Sequence, residues 1–132
     1  MNYKGIKTYK VTNDRAFFGE IESTIQVDFN HPDVIEIIRQ TVNFFITDKK
    51  LKNYYDGDVI VAFLKLLAAK IARIQAATDY NTTGVISKMK EEEGFLNIDG
   101  TLGVKLIYCE FISNEAEDFE VEEQEEKEVS HG

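Results

Sequence analysis

Tryptophan is absent from the 132 residues, proline and cysteine occur once each, and histidine occurs twice. A single cysteine, Cys109, leaves no partner for an internal disulfide, so nothing points to an oxidising compartment and cytoplasm is the expected location. The histidines, His31 and His131, form no zinc spacing with Cys109 or with each other. One proline with 43% apolar and 30% charged residues excludes a disordered or fibrous profile and points to one globular core. Long apolar runs are missing as well. The longest wholly apolar stretch is Val59–Leu64, and MNYKGIKTYK carries charges with no continuous apolar segment behind it. Neither a signal peptide nor a membrane span is expected.

The residues of familiar catalytic sites are equally scarce. Cys109 with His31 is the one cysteine–histidine pairing worth naming for nucleophilic catalysis, and a strand cysteine is ordinarily a small hydrophobe. Glu91, Glu92 and Glu93 are adjacent and read as a solvated helix end. Asp56-Gly57-Asp58 lacks the third acid and distal glutamate of a calcium loop. The glycines of GFLNIDGTLG are spaced for neither a dinucleotide fingerprint nor a phosphate loop. Nothing in the chain calls for an enzyme, a metal or a cofactor.

Positive charge is in deficit, at a formal net −9, which argues against nucleic acid and anionic membranes as partners. The deficit is local. Residues Asn114–Gly132 hold nine acids and one lysine, or −8, leaving −1 for residues 1–113. The near-neutral part has room for a local basic pocket. The segment 114–132 has too little apolar content to offset the entropy of ordering and reads as a mobile acidic tail, with mimicry of nucleic acid toward a basic partner as the alternative.

Periodicity supplies the architecture. Glu20–Phe29 alternates with Ile21, Ser23, Ile25, Val27 and Phe29 on one face, which predicts a half-buried strand. Tyr3–Val11 is a weaker strand, and Thr12–Arg15 is the turn that would make the two an antiparallel hairpin. Val34, Ile37, Ile38, Thr41, Val42 and Phe45 predict an amphipathic helix over about Pro32–Ile46. Lys49–Asp56 reads as a loop. Asp58 then caps a helix over Val59–Thr78 that is apolar nearly all round, more than a small domain can easily surround, so a partner copy is expected to cover the surplus. A short helix over Val85–Glu92 follows, then a turn at Asp99-Gly100. The last strand, Gly103–Ile112, sets Val104, Leu106 and Tyr108 against Lys105, Ile107, Cys109 and Phe111, apolar on both faces and so expected at the centre of a covered sheet. The expectation is a single α+β domain over residues 1–113, a small antiparallel sheet packed on two main helices and forming a homo-oligomer.

Groups able to hold a ligand are few. Phe95 could stack on a base, while Asn97 and Asp99 could bond to its edge or to ribose hydroxyls. An ordinary loop with a buried phenylalanine is the simpler reading. Arg39, Lys65, Lys70, Arg73 and Lys105 are the cations that could meet an anion. Lys65 and Arg73, about two turns apart, would need an acid or anion opposite them at a buried interface.

The order and content of HPDVIEIIRQTVNFF, DGDVIVAFLKLLAAKI and EEEGFLNIDGTLGVKLI resemble the Thoeris anti-defence family of small phage and prophage proteins, over about residues 20–112. The likeness consists of a strand leading into a proline-started helix, an Asp-Gly-Asp entry to a second helix, and a Glu-Gly-aromatic segment ending in Asp-Gly before a strand. Members of that family are sponges that sequester cyclic ADP-ribose isomers. The resemblance implies an oligomer of α+β subunits with a nucleotide pocket at or near an interface. Phe95, Asn97, Asp99, Arg39, Lys65, Arg73 and Lys105 are its candidate contacts. The competing reading is an acidic interaction protein that inhibits a basic host factor.

Overall fold

The computed structural model describes residues 4–13, 21–78, 81–92, 94–110 and 120–124. It is an α+β fold in two layers. Strands β1 (Ile6–Asn13), β2 (Ile21–Asp28), β3 (Val104–Glu110) and β4 (Glu120–Glu123) form an antiparallel sheet in the order β3-β2-β1-β4. Helices α1 (Val34–Phe45), α2 (Asp48–Tyr55), α3 (Val59–Thr78) and α4 (Thr82–Met89) intervene between β2 and β3.

The alternation in β2 decides which face of the sheet is covered. Ser23, Ile25, Val27 and Phe29 are buried, with Tyr9 and Val11 of β1 beside them, whereas Glu22, Thr24, Gln26 and Asp28 are only half-buried on the face without helices. Helix α3 crosses the buried face and touches all four strands. Its start is fixed by Asp58, whose carboxylate accepts from the backbone N–H groups of Ile60 and Val61 at 3.1 Å each. In α1, Val34, Ile38, Thr41, Val42 and Ile46 form one buried stripe, and α1, α2 and α4 pack around the remaining sides of α3.

Helix α3 is therefore enclosed within one chain. Phe63, Leu64, Leu67, Ala68 and Ile71 are inaccessible to water without any second copy, so the expected surplus does not exist. The expectation fails because residues 48–55 are not a loop. Thr47 caps them as α2, its hydroxyl accepting from the Lys50 N–H at 3.1 Å, and Tyr55 is buried. Helix α4 also begins earlier than expected, at Thr82, because the Asn81 side chain accepts from the Gly84 N–H and caps it.

Strand β3 departs from its expected place and pattern. It lies at the edge of the sheet, and the register passes from Leu106 opposite Ile25 to Tyr108 opposite Thr24, leaving Ile107 as the extra residue of a bulge. The bulge reverses the faces. Cys109 is buried with Val104 and Leu106, whereas Ile107 and Tyr108 are 43% and 44% exposed. Part of the outer edge of β3 is covered by its own incoming segment, for Leu106 donates its N–H to the Ile98 carbonyl and Gly100 donates to Val104. At the opposite edge, Glu120–Glu123 pairs with β1 inside the segment expected to be a mobile tail, and Lys7 Nζ lies 2.8 Å from the Glu123 carboxylate. Residues 114–119 and 125–132 of that segment, and Asp14–Arg15 of the expected turn, lie outside the described residues.

Two glycines at the β3 turn test this packing. Gly103 has φ +92°, and a Cβ there would come within 2.8 Å of Val34 Cγ2 and 3.1 Å of His31 Cβ; at Gly100, φ +100°, the nearest atom is 3.7 Å away. Both alanine variants carry the backbone strain, about 1–2 kcal/mol, and only Gly103→Ala adds a clash. Urea unfolding should show the Gly103→Ala midpoint well below that of Gly100→Ala, and equal midpoints would contradict the seating of α1 on this turn.

Candidate functional site

The residues singled out in the sequence do not converge on one point. Asp99 and Lys105 meet across a hydrogen-bonded turn and line a cleft of about 320 Å³ on the open face of the sheet, with Gln26, Asp28 and Ile6. Asp99 is held in place. One carboxylate oxygen accepts from the Thr101 hydroxyl at 2.7 Å and the Thr101 N–H at 3.0 Å, and the other lies 3.3 Å from Lys90 Nζ. Those bonds, the Thr101 hydroxyl foremost, bring its pKa down to about 2, so the group is a fixed acceptor across the physiological range. With Asp28 close by, this cleft offers carboxylate acceptors that suit hydroxyl or amino groups.

Arg73 lies elsewhere. On α3, Lys70, Arg73, Ile74 and Ala77 recur at helical spacing, and with Lys88 of α4 and Glu92 they line a second cleft of about 200 Å³. Lys70 Nζ is 2.6 Å from the Glu92 carboxylate, and Lys88 pairs with Glu91 at 3.3 Å. The hydrogen bond from Lys70 lowers the Glu92 pKa against an opposing effect of burial, and the charges of Lys70 and Lys88 add to the lowering. The two clefts are on opposite sides of the sheet, since Gln26 and Asp28 face away from the helices.

Lys65 does not join Arg73. Eight residues of helix turn it by about 80°, and its ammonium sits 5.9 Å from the centre of the Tyr55 ring, toward α2. Arg39 is exposed on α1, and Asn97 is half-buried before the β3 turn. Phe95 is half-buried too, its ring 4.6 Å from that of Phe45 and tilted by 31°, while Phe45 meets Phe44 edge to face at 4.8 Å. Gly94 makes that cluster possible, because a Cβ there would fall 2.5 Å from the Phe44 ring. Sequence reasoning missed Lys88, Glu92, Phe44 and Phe45 as site residues. The adjacent Phe44-Phe45 pair was the available signal, since a helix buries only one of two neighbours well.

Residues 23–121 match DUF2528, a family described as protein of unknown function. The chain belongs to the DUF2528 family. The matched stretch runs from β2 into β4 and holds every residue of the α3–α4 cleft and the phenylalanine cluster, while Ile6 of the open-face cleft lies before it. No curated protein and no solved structure matches the chain. Among the described residues no helix is long and apolar enough to cross a membrane.

The Asp99 arrangement gives a pH signature. Because its folded pKa lies below the ordinary 3.8, its contribution to stability is complete above about pH 4 and disappears as the pH falls toward about 2. Asp99→Ala should cost about 1 kcal/mol near neutral pH. Urea midpoints should show that gap narrowing between about pH 4 and pH 2, and a gap constant in pH would mean that the charge is not its source.

Proposed function

We propose that the protein is a non-enzymatic sponge, carried by a phage, that binds and sequesters a cyclic nucleotide immune signal of the cyclic ADP-ribose type in the cytoplasm of the host bacterium. The observation that carries this reading is the cleft where Lys70, Arg73 and Lys88 converge between α3 and α4. Arg73 is exposed there and can fork onto a phosphate, with the two lysines as point charges beside it. Glu92 lies where an anion would pair with Lys70, so a phosphate entering the cleft exchanges one ionic partner for another. The resemblance to the Thoeris anti-defence family supplies the ligand class. Sequestration needs affinity and no turnover, and a cleft lined mainly by charged side chains suits affinity.

Homo-oligomer formation belongs to the same reading. It rests on Ile107 and Tyr108 as exposed apolar surface, no longer on α3. Light scattering at micromolar concentration should give a multiple of 15.1 kDa, and a clean monomer mass would remove the idea.

Titration calorimetry of the full chain against cyclic ADP-ribose isomers, with the ligand recovered after denaturation and weighed by mass spectrometry, tests the function. Binding with intact ligand, weakened at least about tenfold by Arg73→Ala, is expected. A chemically altered ligand would make the protein an enzyme, and no binding by the folded chain would sink the sponge. The acidic-inhibitor alternative is separated by truncation, but β4 fixes where to cut. Removing residues 114–132 would strip a strand from the sheet, so the informative truncation ends at Gln124. A sponge should bind its nucleotide undiminished after that cut, whereas an inhibitor working through its acidic end should lose its partner.

A further inference from the structure

The α3–α4 cleft is too small for the ligand it is proposed to hold. At about 200 Å³ it has room for one or two phosphate groups, whereas sites for whole small molecules run from about 300 to 1,000 Å³. The base of a nucleotide anchored there has to lie outside the cleft, against some neighbouring surface.

One surface has the right chemistry. Phe44 is 57% exposed and Phe45 39% exposed, side by side at the end of α1. Single exposed apolar side chains are common and need no explanation, but these two are backed by a third ring. Phe95 lies 4.6 Å behind Phe45, and Phe44 meets Phe45 edge to face, so each ring has an aromatic neighbour that limits its movement. The chain links this platform to the cleft directly. Glu92 is bonded to Lys70 in the cleft wall, and Gly94, two residues on, lies against both rings. Two residues span at most about 7 Å of backbone, which brings the platform within reach of a group tethered to a phosphate in the cleft.

We propose that the exposed Phe44–Phe45 surface seats the base of a nucleotide whose phosphates occupy the Lys70, Arg73 and Lys88 cleft, making one two-part site. The inference rests on the phosphate-binding role given to the cleft above. It reassigns base stacking from Phe95 to the two rings in front of it, with Phe95 acting as a positioning residue. An aromatic face stacks on a base without reading its identity, so the site selects for a base plus phosphates and not for a particular base.

Calorimetry on the full chain with two probes, ADP and inorganic pyrophosphate, separates the parts. Phe44→Ala should weaken ADP about tenfold and leave pyrophosphate unchanged, Phe44→Tyr should restore ADP, and Arg73→Ala should weaken both. ADP affinity unaltered by Phe44→Ala would overturn the base seat while leaving the phosphate cleft standing. An equal loss of pyrophosphate in Phe44→Ala would also overturn it, because the ring would then be shaping the cleft. Wild-type protein that binds neither probe would overturn the cleft and the seat together.

Discussion

Helix α3 must be kept from water on nearly every side, and most of the molecule follows from that requirement. Its buried residues include a phenylalanine and several leucines and isoleucines, each contributing about 1.5–3 kcal/mol when fully covered. A four-stranded sheet covers one side, and three short helices close the others. The open face of the sheet is correspondingly more polar, since Tyr9, Val11, Ile25 and Val27 are committed to the helix, although Ile6 stays exposed there. Where the cover stops, near the C-terminal half of α3, the helix presents Lys70, Arg73 and Ala77. The cationic cleft is thus the gap left in the wrapping of the core, and its position follows from the limited length of α4.

The same wrapping explains why the ligand groups are divided. Each candidate cation on α3 faces the element that covers its own sector, Lys65 toward α2 and Arg73 toward α4. Asp99, in the turn before β3, and Lys105, in β3, open on the other side of the sheet beside Asp28. Charge type alone therefore assigns different chemistry to the two clefts. An anionic group would meet cations between the helices, and a hydroxyl or amino group would meet acceptors on the open face.

What could be read from the sequence was whatever depends on local pattern. The bounds of α3 and its Asp58 cap and the alternation in β2 appear as expected, because apolar period and capping chemistry determined each, whereas the α1 stripe closes on Ile46 and leaves Phe45, expected within it, exposed. Helix α2 was illegible because DKKLKNYY offers one buried side chain, so no apolar stripe marks it. The β3 bulge depends on pairing with β2, which no single strand reveals. Strand β4 was hidden by its glutamates, of which Glu123 is met by Lys7 of β1 only once the two strands pair. In the site, Arg73 and Phe95 were visible as residue types, but the grouping of Lys70 with Lys88 and of Phe95 with Phe44 and Phe45 is tertiary.

The pairing of β4 with β1 has a kinetic side. Lys7 and Glu123 are 116 residues apart in sequence, whereas the β1–β2 hairpin needs only a short loop. On a ribosome the hairpin can form early, and the helices can collect on it, while the outer edge of β1 stays bare until residues 120–123 have emerged. Contacts so distant form slowly because the closure entropy is met before they contribute. During that interval β1 is an unpaired strand edge able to accept a foreign strand. The lysines at positions 4, 7 and 10 supply the protection meanwhile, repelling another copy of the same edge until the acidic strand arrives to cover it.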